Sequence, residues 1–385
     1  MTRFLNILRN AAFIATSYGY MLMRGKARHT QIEVRAVLVV QTAKMGDMVC
    51  ATPVLRALKE RFPKARVVVL GDAIGKEVLA NSSYVDGYIM AGDGFLKILG
   101  AIRREDFDAS IILVPDARAI ALSFLGGVKN VVAPAVVGGY CPWMTKTYRL
   151  LLRLVLNVPH RMGHYAPLEY LQMLRSLGIH TSDTTKHLSY SDEARKNTDA
   201  FLRAHDLTEK KFAIISPSAG NKIKNWPADR FARVAEHLAG KGISVVVIGG
   251  KRDTEEVATM MRAVGKSKGI IDASEEFSID ELKALIAQAW LFVAVDTGPI
   301  YIAEAFGVPT VDIVGPIDER EQPPIGPQHL IVVPPVREKP ALHVMNARVY
   351  DEQEAYRQTQ TISAEMVCEA IDSLIHQFNS DKKKS

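Results

Sequence analysis

The sequence predicts an α/β protein made of two Rossmann-like domains facing each other across a cleft. Three observations carry that expectation. Short runs rich in Val, Ile and Leu, the pattern of strands buried on both faces of a parallel sheet, alternate with amphipathic helical stretches. The alternation lapses in a polar stretch, 181–209, and then resumes in the same style. With 385 residues, 48% of them hydrophobic and 23% charged, the chain is long enough for two separate cores.

The first block opens with an apolar strand at 36–41, a loop holding Lys44-Met45-Gly46-Asp47, and a helix at 53–62. Thr52 suits the cap of that helix and Pro53 its first turn, where a missing N–H costs nothing. Strands at 65–70, 84–90, 109–114 and 130–133 follow, with helices at 74–80, 95–104 and 117–125 between them. Residues 138–147 read as an irregular loop, and 148–156 and 165–177 as helices. After the polar stretch, with its helix at 192–205, come strand 212–215, a polar loop 216–227 and helix 229–239. Strand 243–248, helix 254–264, an edge strand at 269–272 and helix 279–289 continue the pattern. Strand 291–295, the loop Asp296-Thr297-Gly298-Pro299, helix 300–306 and strand 310–314 form a further βαβ unit. Gly307 is the helix terminator. The Pro-rich stretches 322–326 and 334–340 carry no regular element, and 362–378 is a last helix. The expected divisions are an N-terminal segment 1–35, a first Rossmann-like domain 36–185, a linker region 186–210, a second Rossmann-like domain 211–360, and a helix with basic tail 361–385.

The net charge of +6 is concentrated at the ends. Residues 1–35 hold six basic residues against Glu33, a net of +5, and the tail from Asp381 to Lys384 adds +2, which leaves the body at −1. A near-neutral body excludes the charged stripe of a nucleic-acid binder. Cys50, Cys141 and Cys368 lie far apart, so neither a disulfide framework nor a metal site is expected, and a reducing, cytoplasmic setting fits.

In the N-terminal segment the uninterrupted apolar run 11–23 is too short to span a bilayer. On a helical wheel Phe4, Leu8, Ala11, Ala15, Tyr18 and Leu22 share one face, and Asn6, Arg9, Asn10, Thr16 and Ser17 the other, with Phe13 breaking the polar arc. Such a helix is either an interfacial anchor, placing residues 1–30 on the inner-membrane surface, or a helix packed on its own domain. No small-residue cleavage site follows, as a signal peptide would require.

Three loops have the composition for chemistry. Asp47 falls between strand and helix, where a carboxylate can accept a proton. Residues 216–227 combine Ser216, Ser218, Gly220 and Asn221 with Lys222 and Lys224, a set able to wrap a phosphate with hydroxyls, N–H groups and an ammonium. The Gly-x-x-x-x-Gly-Lys-Ser/Thr spacing is absent, which disfavours ATP hydrolysis. Trp226 and Pro227 are expected to pack on the following helix. Asp296-Thr297-Gly298-Pro299 places a helix N-terminus at the carboxyl end of a parallel strand, where α/β folds bind anions. Asp296 is an awkward neighbour for an anion, and is expected to tie down the loop or contact a sugar hydroxyl.

At these places the chain resembles glycosyltransferase family 9, the ADP-heptose:lipopolysaccharide heptosyltransferases, over residues 36–375. The resemblance rests on Met45-Gly46-Asp47 with Thr52-Pro53-Val54-Leu55-Arg56-Ala57-Leu58 and on Lys224-Asn225-Trp226-Pro227. It continues through Asp296-Thr297-Gly298-Pro299, the segment Ala303 to Pro309, and Gly315-Pro316. It implies a GT-B fold, with the acceptor on the first domain and the nucleotide-sugar on the second, and inverting transfer without an essential metal or other cofactor. It also implies Asp47 as general base and Lys224 as the phosphate-binding lysine, the catalytic pair. Thr297 and Gly298 become a backbone phosphate clamp, with Ser218, Lys222, Asp296 and Tyr301 completing the donor site. Tyr301 departs from the family, which usually has His there; Tyr donates one hydrogen bond but does not become a cation. The expected partners are a nucleotide-sugar, by resemblance ADP-heptose, and a glycolipid or glycan acceptor at the cytoplasmic face of the inner membrane. A sugar-nucleotide epimerase of the same shape and a non-catalytic nucleotide-sugar binding module are the alternatives.

Overall fold

The computed structural model describes residues 2–24, 33–208, 211–265, 267–346 and 350–381. Lys26 and Arg28 of the N-terminal segment, and residues 382–385 of the basic tail, lie outside the described residues. The chain divides into two units, Met1–His187 and Leu188–Ser385.

In the first unit, strands β1 (Ala36–Val40), β2 (Arg66–Gly71), β3 (Gly87–Met90), β4 (Ala109–Ile112), β5 (Asn130–Val137) and β6 (Leu156–Arg161) form one parallel sheet. Its order is β3-β2-β1-β4-β5-β6. β1 is the central strand: Val37 stands opposite Val67 on one side and Ala109 on the other, all three buried. The helices are α1 (Thr2–Arg24), α2 (Met45–Cys50), α3 (Thr52–Arg61), α4 (Ala73–Val78), α5 (Phe95–Glu105), α6 (Ala117–Leu125), α7 (Lys146–Leu152) and α8 (Ala166–Gln172). The strand order reverses between β1 and β4, so the loops leaving those strands share the switch point where doubly wound sheets bind ligands.

The second unit repeats the winding. It opens with α9 (Asp192–Ala204), β7 (Phe212–Ser216), α10 (Ala228–Gly240), β8 (Ser244–Val247), α11 (Thr254–Val264) and β9 (Ile270–Asp272). α12 (Ile279–Ile286), β10 (Leu291–Val295), α13 (Gly298–Ala305), β11 (Thr310–Ile313), β12 (His329–Val332), α14 (Glu352–Thr361) and α15 (Ala364–Asp381) complete it. Its order, β12-β11-β10-β7-β8-β9, puts the switch point between β7 and β10. The Rossmann-like winding expected from the sequence is therefore present twice.

Several elements differ from expectation. β6 and β12 are edge strands in stretches where no strand was expected. β6 contains Pro159, which an edge tolerates, and the helix expected to extend through Leu156 stops at Leu152. α9, expected inside a linker, belongs to the second unit. Its cap Ser191 donates to Asp280 Oδ2 at 2.7 Å, and Asn197 donates to Glu281 Oε1 at 2.7 Å, both on α12. α14 lies where no element was expected.

α1 is packed on its own unit, and of the face the helical wheel selects only Tyr18 joins the described packing contacts. Phe13 is buried and stacks on Phe95 of α5 with ring centroids 5.0 Å apart. Tyr20 meets Phe124 of α6 edge-on, and the Tyr18 hydroxyl donates to the Leu150 carbonyl of α7 at 3.0 Å. Leu8, Ala11, Ala15 and Leu22 remain exposed on the outer side. Among the described residues no helix is long and apolar enough to cross a membrane.

Candidate functional site

In the second unit the two loops of the switch point meet through an ion pair. β7 delivers Ser216 into the loop 217–227, whose end is anchored by burial: the Trp226 indole is sunk in the core, edge-on to Phe231, and donates to the Ile362 carbonyl at 2.9 Å. The expected packing of Trp226 on the following helix is thus observed. Asn225 Oδ1 accepts from the Ala219 N–H at 2.9 Å and closes the loop on itself. A short 3-10 turn, Lys222–Lys224, then directs the Lys224 ammonium to Asp296 Oδ2, 2.7 Å away. Both side chains are largely withdrawn from solvent, at 14% and 7% exposure.

Asp296 stands at the end of β10, and its other oxygen accepts from the hydroxyl of Tyr301, which is buried on α13. It ties the loop together, one of the two roles its sequence position offered. Thr297 is the N-cap of α13 in extended conformation and makes no side-chain cap bond, and Gly298 and Pro299 fill the first turn. Pro299 has no N–H and the Ile300 N–H donates to the Thr297 carbonyl at 3.2 Å, which leaves the Gly298 N–H at a helix end that carries partial positive charge.

Ser218 and Lys222 are not in this group. Lys222 donates to Ser218 Oγ at 2.8 Å and pairs with Asp253 Oδ1 at 3.0 Å and Glu256 Oε1 at 2.8 Å, while Ser218 donates to Asp253 at 2.6 Å. Burial opposes the charge on Lys222, but the two carboxylates outweigh it and raise its pKa. These residues form a second network, joined to the first through Asn225, which donates to Glu256 at 2.9 Å.

The sequence reading did not single out Asp312. It lies on β11 opposite Ala294 of β10, almost completely buried, and its Oδ1 has no hydrogen-bond partner among the described residues. Burial pushes its pKa well above the carboxylate range; neighbouring Asp296 adds to the shift, Lys224 opposes it and Glu304 adds again. The available signal was a carboxylate inside the apolar run Thr310–Ile313, since Asp is almost never fully buried without a specific partner.

In the first unit Asp47 is not in a loop but in the first turn of α2, whose N-cap is Lys44. Met48, Val49 and Cys50 are buried and seat this short helix, which leads through Ala51 into α3. The buried Gln41 side chain, just past β1, folds the connection: its Oε1 accepts from the Ala43 N–H at 3.1 Å, and its Nε2 donates to the Asp47 carbonyl at 3.4 Å. Asp47 is half-buried at the carboxyl end of the sheet, in the first turn of that helix. On the other side of the switch point, Asp116 caps α6, accepting from the Arg118 N–H at 2.8 Å, and Arg118 donates to the carbonyls of Ala91 and Asp93 at 2.7 Å each.

Asp318, Glu321 and His343 bring three metal-ligand atoms within 4.8 Å of one another, with no ion present. Their charges are already matched. Arg320 forks onto Asp318 at 2.8 and 2.6 Å, and the His343 ring nitrogen lies 3.3 Å from Glu321 and 3.5 Å from Asp318. This is an ion cluster that holds residues 318–346 together beyond β11.

Comparison with known proteins places these features. The family model for glycosyltransferase family 9 (heptosyltransferase) matches residues 160–348, which include Lys224, Asp296 and Tyr301. Lipopolysaccharide heptosyltransferase 3 of Escherichia coli (strain K12) is 24% identical over 284 residues, covering 71% of this chain and 80% of the relative. The crystal structure of a glycosyl transferase family 9 protein from Veillonella parvula DSM 2008 superposes with a TM-score of 0.72 at 21% identity, covering 90% of this chain and 99% of its own. The E. coli ADP-heptose LPS heptosyltransferase II structure gives a TM-score of 0.70 at 19% identity, covering 89% and 99%. With two doubly wound parallel-sheet units, the fold is GT-B.

Proposed function

We propose, from the premise that the chain belongs to glycosyltransferase family 9, that it transfers heptose from ADP-heptose to a lipopolysaccharide-core or related glycan acceptor with inversion. The observation that carries the donor half is the Lys224–Asp296–Tyr301 arrangement beside the N-terminus of α13, at the second unit's switch point. An ammonium and the backbone N–H groups of Thr297 and Gly298 on adjacent loops suit a diphosphate, whose negative charge grows as it leaves the sugar. In this reading Lys224 and the backbone of Thr297 and Gly298 take up that charge, with no metal ion required. Asp47 accepts the proton of the acceptor hydroxyl as its oxygen bonds to the anomeric carbon and the bond from that carbon to the diphosphate breaks. The exposed outer stripe of α1, with the basic residues around it, supports seating at the cytoplasmic face of the inner membrane, where a glycolipid acceptor would lie.

Thermal stabilisation by ADP-, UDP- and GDP-sugars tests the donor, because a ligand that binds only the folded chain raises its stability. ADP-heptose should stabilise most. Asp47→Asn should then lower turnover by about 10²–10⁴-fold with donor affinity nearly unchanged, whereas Lys224→Ala should weaken donor binding. Full turnover in the Asp47 variant removes that residue from its role.

A further inference from the structure

We propose that Asp312 is a positioning residue for donor binding: neutral, it replaces Lys224 as the partner of Asp296 and frees the ammonium for a nucleoside diphosphate; charged, it holds Lys224 back. The inference rests on the donor reading above and adds a residue which that reading does not use.

The ammonium is already engaged, 2.7 Å from Asp296. A diphosphate therefore competes with a buried carboxylate for the same cation. Once Lys224 turns to the phosphates, Asp296 keeps only the Tyr301 hydroxyl among the contacts described, beside a newly arrived anion. A buried carboxylate stripped of its counter-charge is costly unless another hydrogen bond replaces it.

Asp312 is placed to supply that bond. Its register partner is Ala294, and the pairing runs one residue past β10, where the Asp296 N–H donates to the Ile313 carbonyl at 3.4 Å. Asp296, two residues after Ala294, therefore falls on the same side of the sheet as Ala294 and Asp312. α13 brings Tyr301 and Glu304 to the group, and the loop after β7 brings Lys224. Three carboxyl groups thus converge with one ammonium and one phenol, and cannot all be ionised together. Asp312, the most deeply buried, is the one that keeps its proton, and its unpartnered oxygen is available for a hydrogen bond. As a neutral acid it donates to Asp296; ionised, it places a second carboxylate on Lys224. Donor binding therefore favours the protonated form and takes up a proton wherever the empty site has lost it.

The test is titration calorimetry of the full chain with ADP between pH 7.5 and 9, in buffers of different ionisation enthalpy, for the parent, Asp312→Asn and Asp312→Ala. In this range ADP is already fully ionised. Wherever the parent has lost the Asp312 proton, ADP binding should take one up, and Kd should rise with pH by up to tenfold per unit. Asp312→Asn, which always donates and never ionises, should bind with a flat Kd and no proton uptake. Asp312→Ala, which can neither donate to Asp296 nor ionise, should weaken ADP binding in a folded protein, and a Kd unchanged by that substitution overturns the proposal and leaves the donor reading standing. Unaltered uptake in a folded Asp312→Asn also overturns it. Failure of ADP, UDP and GDP to bind the parent at all removes both.

Discussion

α1 presents two apolar faces, and substitutions separate their roles. The inner face is carried by Phe13, buried and stacked 5.0 Å from Phe95. Burying a Phe side chain stabilises by about 1.5–3 kcal/mol, and the aromatic pair adds roughly 0.5–1.5 kcal/mol. Phe13→Ala should therefore lower the stability of the first unit by about 2–4 kcal/mol. The outer face is carried by Leu8 and Leu22, at 51% and 83% exposure, so Leu8→Gln with Leu22→Gln should change stability by less than about 1 kcal/mol in total. If half of each Leu side chain enters lipid, each contributes about 1 kcal/mol, and the pair about thirtyfold in partitioning. Urea unfolding and co-sedimentation with anionic vesicles measure the two effects on the same proteins. Phe13→Ala within about 0.5 kcal/mol of the parent would show that α1 is not integrated into the unit. Unchanged vesicle binding of the double Leu variant would show that the outer stripe is not a membrane surface. Removing residues 1–30 altogether deletes both faces at once and distinguishes neither.

Two histidines should give the units opposite pH responses. Burial, with His164 nearby, pushes His160 down to about 4, so the unfolded chain binds its proton first. The contribution is present above about pH 6.5 and lost as pH falls from there to about 4, a change of roughly 3 kcal/mol. Hydrogen exchange in β5 and β6 should accelerate over that range in the parent and much less in His160→Gln; equal slopes refute the assignment. His343 is shifted the other way, its hydrogen bond to Glu321 outweighing its burial, with the charges of Glu321 and Asp318 adding to the rise. Its contribution is fully present below about pH 6.5 and lost as pH rises through the elevated folded value. Denaturant unfolding of the second unit should show that alkaline loss in the parent and not in His343→Gln.

The central strands were legible because burial on both faces leaves one kind of residue to choose: Val37–Val40, Val67–Leu70 and Leu291–Val295 are apolar throughout. The edges were not. β6 needs to be apolar on one side only, and β12 is four residues set among prolines. α2 was hidden for another reason. Gly46 and Asp47 are poor helix formers, and the helix exists because Met48, Val49 and Cys50 find a core to enter, a tertiary effect that outweighs local propensity. On the helical wheel, Phe13 counted as one residue breaking a polar arc; in the fold its ring outweighs the small Ala side chains of the opposite stripe.

The site divides along the same line between local and tertiary information. Strand–loop–helix punctuation located both switch points, and the motifs named Lys224, Thr297 and Gly298. Punctuation does not say which cation is already engaged. Lys222 and Lys224 are two residues apart in a loop that composition describes as uniformly basic. In a 3-10 turn each residue advances about 120°, so side chains two apart are rotated by about 240° and point about 120° away from each other. One lysine turns to Asp253 and Glu256 beside α11, the other to Asp296 on β10. That divergence gives the chain one ammonium held by a dedicated carboxylate network and another paired to the Asp296 loop, which in the proposed reading it leaves to bind a donor. Asp312 escapes a sequence reading because its neighbours come from β10, α13 and the loop after β7, and only the register of two parallel strands brings them together. A loop built to hold phosphate would bind it more tightly without Asp296 and Asp312. Their presence makes the grip conditional on a proton, and donor affinity should depend on pH through residues that do not touch the donor.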